Sequence, residues 1–201
     1  LNANLPGIIA KACFITNTKL IHISTDHFFN DEDRKHTEKD DVSLLNIYSK
    51  SKYEGEIQVL SNLSSALVCR TNFFGYGPAH KLSFSDWIIK SCKNREPINL
   101  FNDVFITPVS GHKLASISHE LLDLECEGIF NISADEKISK FEFGILLCKN
   151  LKLSTAFIKS GSIFERKDLI KRPNSMALSN IKALKKLNKK IGDPEIQIKS
   201  M

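Results

Sequence analysis

The segment from Lys19 to Glu56 constrains the fold more than any other part of this 201-residue chain. It begins with a largely apolar run, Leu20–Ile23, which leads directly into Ser24, Thr25 and Asp26. An apolar run that ends in small polar residues is typical of a buried parallel strand that opens into a loop. Ligands of open α/β sheets bind at the carboxyl ends of such strands, so we expect these hydroxyl and carboxylate groups at a functional site.

Tyr48 and Lys52 follow after a polar loop, and on a helix residues with this spacing share one face. A lysine ammonium close to a phenol favours the phenolate and lowers its pKa from the usual value of about 10. Tyr48 is therefore a candidate proton donor or acceptor, with Thr25 able to hold a substrate oxygen beside it. Taken alone, such a pair more often marks a surface helix with a solvated lysine, and it is the order of strand, Ser-Thr-Asp, loop and pair that favours a site.

The order of these motifs resembles the extended short-chain dehydrogenase/reductases, and within them the dTDP-4-dehydrorhamnose reductase family of sugar-nucleotide reductases. The resemblance covers nearly the whole chain. The matching segments are His22-Ile-Ser-Thr-Asp26, Tyr48-Ser-Lys-Ser-Lys52 with Gly55-Glu56, Arg70-Thr-Asn-Phe-Phe-Gly75, and Arg172-Pro173.

Strands alternate with helices along the chain, which indicates an α/β fold. The resemblance implies a Rossmann-like, doubly wound parallel sheet whose N-terminal part is missing, with a small C-terminal substrate-binding lobe. Residues 1–80 are expected to form the C-terminal half of the dinucleotide-binding domain and to carry the catalytic residues. Residues 81–201 are expected to form the substrate-binding lobe, interleaved with the last elements of the sheet.

The resemblance implies NAD(P)H-dependent reduction of a 4-keto group on a nucleotide-linked deoxysugar, in the synthesis of cell-surface polysaccharide precursors. Tyr48 would give its proton to the developing alkoxide as a general acid. Lys52 would lower the pKa of Tyr48 and hold the nicotinamide ribose. Thr25 would donate a hydrogen bond to the oxygen as its charge grows. The expected cofactor is NADP or NAD.

The other expected site residues also come from the resemblance. The residues expected to contact the cofactor are Ser24, Tyr48, Lys52 and Thr71. The residues expected to bind the substrate are Asp26, His27, Asn72, Phe73 and Arg172. His27 stands where the family more often has tyrosine, and it is equally consistent with a sugar contact and with a partly buried histidine. A guanidinium fits a diphosphate bidentately, which supports the role of Arg172, whereas Arg70 is open to a structural role on loop carbonyls.

No Gly-x-x-Gly-x-x-Gly segment, which would place a pyrophosphate on a helix N-terminus, occurs in the sequence. We therefore expect a fragment, or a protein that lacks the first half of its dinucleotide site and binds NAD(P)H weakly by itself. Two alternatives remain open: an epimerase or dehydratase of the same superfamily, and a non-catalytic regulatory or binding subunit. The intact set of Thr25, Tyr48 and Lys52 favours an enzyme over a pure binding subunit.

Helical periodicity predicts helices over Leu1–Cys13 and over Tyr48–Leu60, the latter with Ile57 and Leu60 turned inward. The pattern Ser139-x-x-Glu142 predicts a capping box, and Ser179 is predicted to cap a final helix over Ile181–Leu187. The charged segment from Asn30 to Val42 is predicted to be an exposed loop.

Composition limits the remaining functional classes. The chain is 42% hydrophobic and 25% charged, which is ordinary for a soluble globular protein. It shows neither a membrane-spanning apolar run nor a signal segment, so we expect a cytoplasmic protein without a membrane partner. The net charge is +5, but the basic run near the C-terminus lacks interleaved aromatic residues, so no nucleic-acid partner is expected. The five cysteines lack metal-ligand spacing, so we expect reduced thiols and no metal; a homo-oligomer is left open.

Overall fold

The computed structural model describes residues 1–29, 34–78, 80–170 and 172–201. The α-helices of these residues are α1 (Asn4–Ile15), α2 (Ile47–Asn62), α3 (Phe84–Lys93), α4 (Gly111–Asp123), α5 (Lys140–Asn150), α6 (Ile181–Leu187) and α7 (Pro194–Lys199). The strands are β1 (Ile21–Ile23), β2 (Leu67–Arg70), β3 (Phe73–Phe74), β4 (Ile98–Phe101), β5 (Phe105–Ile106), β6 (Val109–Ser110), β7 (Gly128–Asn131), β8 (Ile138–Ser139) and β9 (Ile158–Gly161). A short 3-10 helix covers Ile163–Glu165.

A parallel sheet in the order β1-β2-β7 forms the centre of the first core. Side chains alternate along the central strand β2, so Leu67 and Cys69 pack in the core with α4 and α6, whereas Val68 packs in the core with α1 and α2. A strand buried on both faces between helices is the signature of a doubly wound parallel sheet, and the predicted α/β Rossmann-like class is confirmed.

A second hydrophobic core lies mostly within the later part of the chain. It joins α3, α5 and α7 to the parallel pair β4 and β9, with Phe143 and Leu147 fully buried. Helices α3 and α5 both begin with a capping box, and the box at Ser139 and Glu142 confirms the prediction from the sequence. The antiparallel pair β5 and β8 ends at Ser139, so the first residue of α5 directly follows this two-stranded sheet.

Three predictions about packing were wrong. Ile57 points outward and is 43% exposed, because the buried side of α2 is made of Ser49, Gly55, Glu56 and Val59. Ser179 does not cap α6. The N-cap position is held by Asn180, whose side chain makes no capping bond to the helix, and Ser179 belongs to a buried connection. Helix α1 begins and ends later than predicted, and it packs through Gly7 and Ala10 while its large apolar residues stay exposed.

The segment that was predicted to be an exposed loop is partly packed onto the core. His36 is buried and its ring stacks on Phe29 with the centroids 4.5 Å apart. The Glu38 carboxylate accepts a hydrogen bond from the backbone of Asn131 at the end of β7. Residues 30–33 of this segment lie outside the described residues. The described part therefore anchors to the carboxyl edge of the sheet, and the prediction of simple exposure was wrong.

Four of the cysteines are buried, Cys13 is partly buried, and all five carry free thiols. Across the ranges that the structure describes, no helix combines the length and the apolar character that crossing a bilayer requires.

Candidate active site

Polar side chains gather where two neighbouring strands end. Ser24, Thr25 and Asp26 follow β1, and Thr71 and Asn72 follow β2, its parallel neighbour. The first four of these residues are at least 95% buried. The Asn72 amide donates a 2.7 Å hydrogen bond to the Asp26 carboxylate, so the two strand ends are joined directly. This is the sheet edge at which open α/β folds bind ligands.

The Asp26 carboxylate holds the polar groups around it in place. Its Oδ1 accepts a hydrogen bond from the Thr25 hydroxyl at 3.3 Å, while its Oδ2 accepts the bond from Asn72. The backbone N–H of His27 donates to the Thr25 hydroxyl oxygen at 3.4 Å. Asp26 is 1% exposed, so these bonds compensate for the burial of its charge. Thr25 is thereby held at the strand end with its hydroxyl oriented by a carboxylate.

Helix α2 brings Tyr48 and Lys52 to the same edge. The helix begins at a capping box formed by Asn46 and Ser49, which fixes its first turn. The Lys52 ammonium donates a 2.7 Å hydrogen bond to the carbonyl of Ile23, the last residue of β1. Burial lowers the pKa of Lys52, and the nearby Glu56 carboxylate opposes that shift. The lysine therefore ties the helix to the strand that leads into Thr25.

Tyr48 lies against His27. Its ring meets the imidazole edge-on, with centroids 5.5 Å apart and planes at 88°, and the residue is 47% exposed. The His27 Nε2 lies 3.8 Å from the Asp26 carboxylate. Burial lowers the pKa of His27; Asp26 opposes the shift, and the cations Lys140 and Arg172 add to it. His27 is partly buried and lies against both the Asp26 carboxylate and the Tyr48 ring, whereas its contact with a sugar stays a prediction.

A cavity of about 300 Å³ borders Asn72, whose amide is bonded to Asp26, but Thr25, Tyr48 and Lys52 are not among its lining residues. Its walls include Asn72, Phe73 and Arg172, which are three of the residues expected to bind substrate. Phe84 of α3 and Phe143 of α5 add aromatic walls. Phe73 is 58% exposed, so this ring is free to cover a ligand. The cavity thus lies beside the carboxyl end of β2, and its use by a substrate stays a prediction.

Lys140 lines the same cavity, and the sequence interpretation missed it. It is the first residue of α5, directly after the capping Ser139. Burial lowers the pKa of Lys140; Asp26 opposes the shift and Arg172 adds to it. A signal was present in the sequence, because the positive end of a helix dipole disfavours a cation in the first turn. A lysine immediately after a capping serine is thus an unfavourable placement, which indicates a possible functional role.

Two hydroxyls at the strand ends have no partner. The Ser24 Oγ and the Thr71 Oγ1 are buried and make no hydrogen bond. An unsatisfied buried hydroxyl costs roughly 1–3 kcal/mol, so such groups need an explanation. Both residues were expected at the cofactor. Their open hydrogen-bonding capacity fits a polar group bound between the ends of β1 and β2, such as the amide and ribose of a nicotinamide.

A wider depression, of about 770 Å³, lies elsewhere. It is lined by the acidic residues Glu38, Asp40 and Asp41 and by residues of α2 that include Ile57. None of the expected catalytic residues borders it. Size alone therefore does not locate the chemistry, and we assign the site from the convergence of polar groups at the strand ends.

The parallel sheet, its polar strand ends and the Tyr48–Lys52 helix define a Rossmann-like α/β protein of the extended short-chain dehydrogenase/reductase type. Within that class, the chain belongs to the RmlD substrate binding domain family, whose model matches residues 1–201. The predicted family resemblance is thereby confirmed.

Curated relatives are 27–29% identical to the chain over the residues that align. A probable low-salt glycan biosynthesis reductase, Agl14 of Haloferax volcanii, is 28% identical over 89% of the chain and 61% of its own length. The methionine adenosyltransferase 2 subunit beta of Rattus norvegicus is 29% identical over 79% of the chain and 50% of its own length. The dTDP-4-dehydrorhamnose reductase of Salmonella typhimurium is 27% identical over 73% of the chain and 50% of its own length. The chain thus spans less than two thirds of the length of these relatives.

Solved structures share the fold of the chain. The dTDP-4-dehydrorhamnose reductase of Bacillus anthracis, crystallised with NADP, matches with a TM-score of 0.88 and 25% identity. A dTDP-4-dehydrorhamnose reductase from Clostridium acetobutylicum matches with a TM-score of 0.89 and 24% identity, which shows the fold alone. Each match covers 100% of this chain and 70% of the other chain.

Proposed function

We propose that the protein containing this chain uses NAD(P)H to reduce the 4-keto group of a nucleotide-linked deoxysugar. The observation that carries the proposal is the Lys52 hydrogen bond to Ile23, which holds the Tyr48 helix against the strand leading into Thr25. A proton donor, a cation and a hydrogen-bond donor thereby meet at one ligand-binding edge of the sheet. The Salmonella, Bacillus and Haloferax relatives, all named as reductases, support the same chemistry.

In this mechanism Tyr48 gives its hydroxyl proton to the substrate oxygen as negative charge grows there. The Lys52 ammonium stabilises the phenolate that is left behind. The Thr25 hydroxyl turns from Asp26 to donate a hydrogen bond to the same oxygen. Bound NAD(P)H supplies the hydride. Ser24 and Thr71, with their unpaired hydroxyls, would hold the nicotinamide end of the cofactor beside Lys52.

The substrate would occupy the cavity of about 300 Å³. Asn72 and His27 would contact the sugar, and the bond from Asn72 to Asp26 would set the orientation of the amide. Phe73 would cover the ligand, and Arg172 would bind its diphosphate. We further propose that residues 1–80 supply the catalytic half and residues 81–201 the substrate lobe. Strand β7, which comes from the second part, completes the sheet, in keeping with the proposed interleaving.

A second candidate is a non-catalytic subunit. The specific observation in its favour is the 29% identity to a protein named as subunit beta of a methionine adenosyltransferase. In that case the cavity would bind a ligand without turning it over. The buried Thr25 and the anchored Lys52 favour the reductase, because a binding subunit has no need for a proton donor with a cation beside it.

The test is to supply the purified protein with NADPH and a dTDP-4-keto-6-deoxysugar, and to follow the loss of NADPH absorbance. Tyr48→Phe serves as the inactive control. Turnover that depends on Tyr48 supports the reductase. Binding of the nucleotide sugar without any turnover, at every cofactor concentration, favours the subunit instead.

A further inference from the structure

Two cations converge on the substrate cavity without an anionic partner. Lys140, from the start of α5, and Arg172, from the connection before α6, both line the cavity of about 300 Å³. Among the described residues, no carboxylate lies within ion-pair distance of either side chain. The Lys140 ammonium lies over the face of Phe84, whose centroid is 5.7 Å away. Lys140 is partly buried, and a cation–π contact compensates for only part of the hydration that its ammonium loses.

The position of Lys140 is unfavourable without a ligand, whereas Arg172 is exposed to solvent. Lys140 lies at the positive end of the α5 dipole, and it is also repelled by Arg172. The Asp26 carboxylate attracts Lys140 from a distance, but its oxygens already accept bonds from Thr25 and Asn72. A multiply charged anion bound in the cavity would offset both the helix dipole and the repulsion between the two cations.

We propose that Lys140 is the second cation of a diphosphate subsite and selects nucleoside diphosphates over monophosphates. The inference rests on the proposed function, in which Arg172 binds the diphosphate of a sugar nucleotide. One guanidinium binds one phosphate bidentately, and a diphosphate then carries further charge that a second, point-like ammonium neutralises. Lys140 would therefore determine the specificity for the second phosphate.

The nucleotide cofactor is another source of a diphosphate, and its position argues against it. Lys140 and Arg172 share their cavity with Asn72 and Phe73. The expected cofactor residue Lys52 borders a separate cavity of about 280 Å³, together with residues of α1 and β1. The cations therefore belong with the substrate and not with the cofactor, and a binding experiment distinguishes the two.

The experiment measures the affinities of the protein for thymidine diphosphate, thymidine monophosphate and NADP⁺ by calorimetry. Lys140→Met should weaken thymidine diphosphate by about tenfold to a hundredfold, the usual value of a charge-assisted bond. It should change the affinities for the monophosphate and for NADP⁺ little. Lys140→Arg should retain most of the diphosphate affinity. Lys149→Met is the matched control, because it removes the same charge from an exposed position of the same helix.

Unchanged binding of thymidine diphosphate by Lys140→Met overturns the inference, even if the protein proves to be a reductase. A parallel loss of all three ligands, with a lower melting temperature, also overturns it, because that pattern means a structural role. Failure of the unsubstituted protein to bind thymidine diphosphate overturns it as well. Conversely, Lys140-dependent binding in a protein that never oxidises NADPH would refute the proposed reductase and leave the diphosphate subsite standing.

Discussion

Arg70 and Glu56 form a buried, bidentate ion pair that joins β2 to α2. The Arg70 Nη2 lies 2.7 Å from Glu56 Oε2, the Nε also donates to the carboxylate, and both side chains are at least 97% buried. The guanidinium also lies over the rings of Phe28 and Phe29, at 5.1 and 5.7 Å from their centroids. Arg70 is thus structural, as the sequence left open, but its partner is a carboxylate and not a loop carbonyl. The pair fixes α2, the helix of Tyr48 and Lys52, beside the strand that leads into Asn72.

Glu56→Gln should lower the free energy of unfolding by about 3–5 kcal/mol, because it leaves the Arg70 charge buried and unpaired. Urea unfolding measures the change. The matched control is Glu195→Gln, which removes the same charge from the exposed pair with Lys199 and should have almost no effect. A double replacement, Glu56→Leu with Arg70→Met, should recover much of the loss. Equal effects of the two Glu→Gln variants would show that the buried pair is not important for stability.

Tyr48→Phe should lower kcat by about 10²–10⁴-fold, the usual contribution of general acid catalysis. The melting temperature and the affinity for nucleotide sugar should hardly change, because the residue is 47% exposed and the substitution keeps its ring against His27. Steady-state kinetics with NADPH provide the measurement. Tyr53→Phe, which removes a hydroxyl from the same helix where its ring packs against Phe28, should keep normal activity. A normal kcat in Tyr48→Phe would remove the basis of the proposed mechanism.

Lys52→Met should reduce kcat to a similar extent, weaken NADPH binding and also lower stability. The stability loss follows from the 2.7 Å hydrogen bond to the Ile23 carbonyl, which would be left without its donor. A lost bond to a charged group costs about 1.5–3 kcal/mol. Fluorescence titration of NADPH and thermal unfolding measure the two effects. Lys50→Met, an exposed lysine of the same helix, is the control; if both variants bind NADPH equally well, Lys52 does not hold the cofactor.

Arg172→Ala should raise the KM for the nucleotide sugar by about tenfold to a hundredfold and leave the affinity for NADPH unchanged. The reason is the loss of a charge-assisted bond to the diphosphate, at the wall of a cavity that does not include Lys52. Initial-rate kinetics at fixed NADPH measure the change. Arg166→Ala, in the exposed ion pair with Asp168, serves as the control. Weakening of both ligands by Arg172→Ala would point to a structural role.

His22 should make stability depend on pH. Burial, together with the nearby Lys52 charge, lowers the pKa of His22 to about 4, below its usual value of 6.5. Between these two values the unfolded chain binds a proton that the folded protein does not, so stability falls as the pH drops through this window. The loss amounts to at most roughly 3 kcal/mol and is reduced by solvent screening, since the ring is only partly buried.

His22→Gln should flatten this pH dependence between about pH 6.5 and 4, as measured by urea unfolding at a series of pH values. The control is His119→Gln, because His119 is exposed on α4. A slope that is the same in the unsubstituted protein and in His22→Gln would assign the acid sensitivity to other groups.

Local rules in the sequence predicted the elements that carry the site. The apolar run before Ser24 became β1, and the spacing of Tyr48 and Lys52 placed both residues on one helix, α2. The Ser139–Glu142 box was correct because capping depends on residues only three apart. Ser179 is not the cap because α6 begins after Asn180. Ser179 instead belongs to a buried connection whose backbone is bonded to the His36 carbonyl, a contact across the fold that no local pattern contains.

The sequence by itself therefore determined the order of strand, hydroxyl, carboxylate, phenol and lysine, because period, capping and helical spacing act over a few residues. Only the tertiary structure decided which distant groups meet. The pairing of Arg70 with Glu56 and the convergence of Lys140 with Arg172 join segments that are 14 and 32 residues apart. The tertiary structure also decided that Ile57 faces outward. Helix α2 turns Gly55 toward the Asn2 carbonyl, where a larger residue would not fit, and this leaves Ile57 on the outer side. Such contacts depend on packing between elements, and that information is spread over the whole chain.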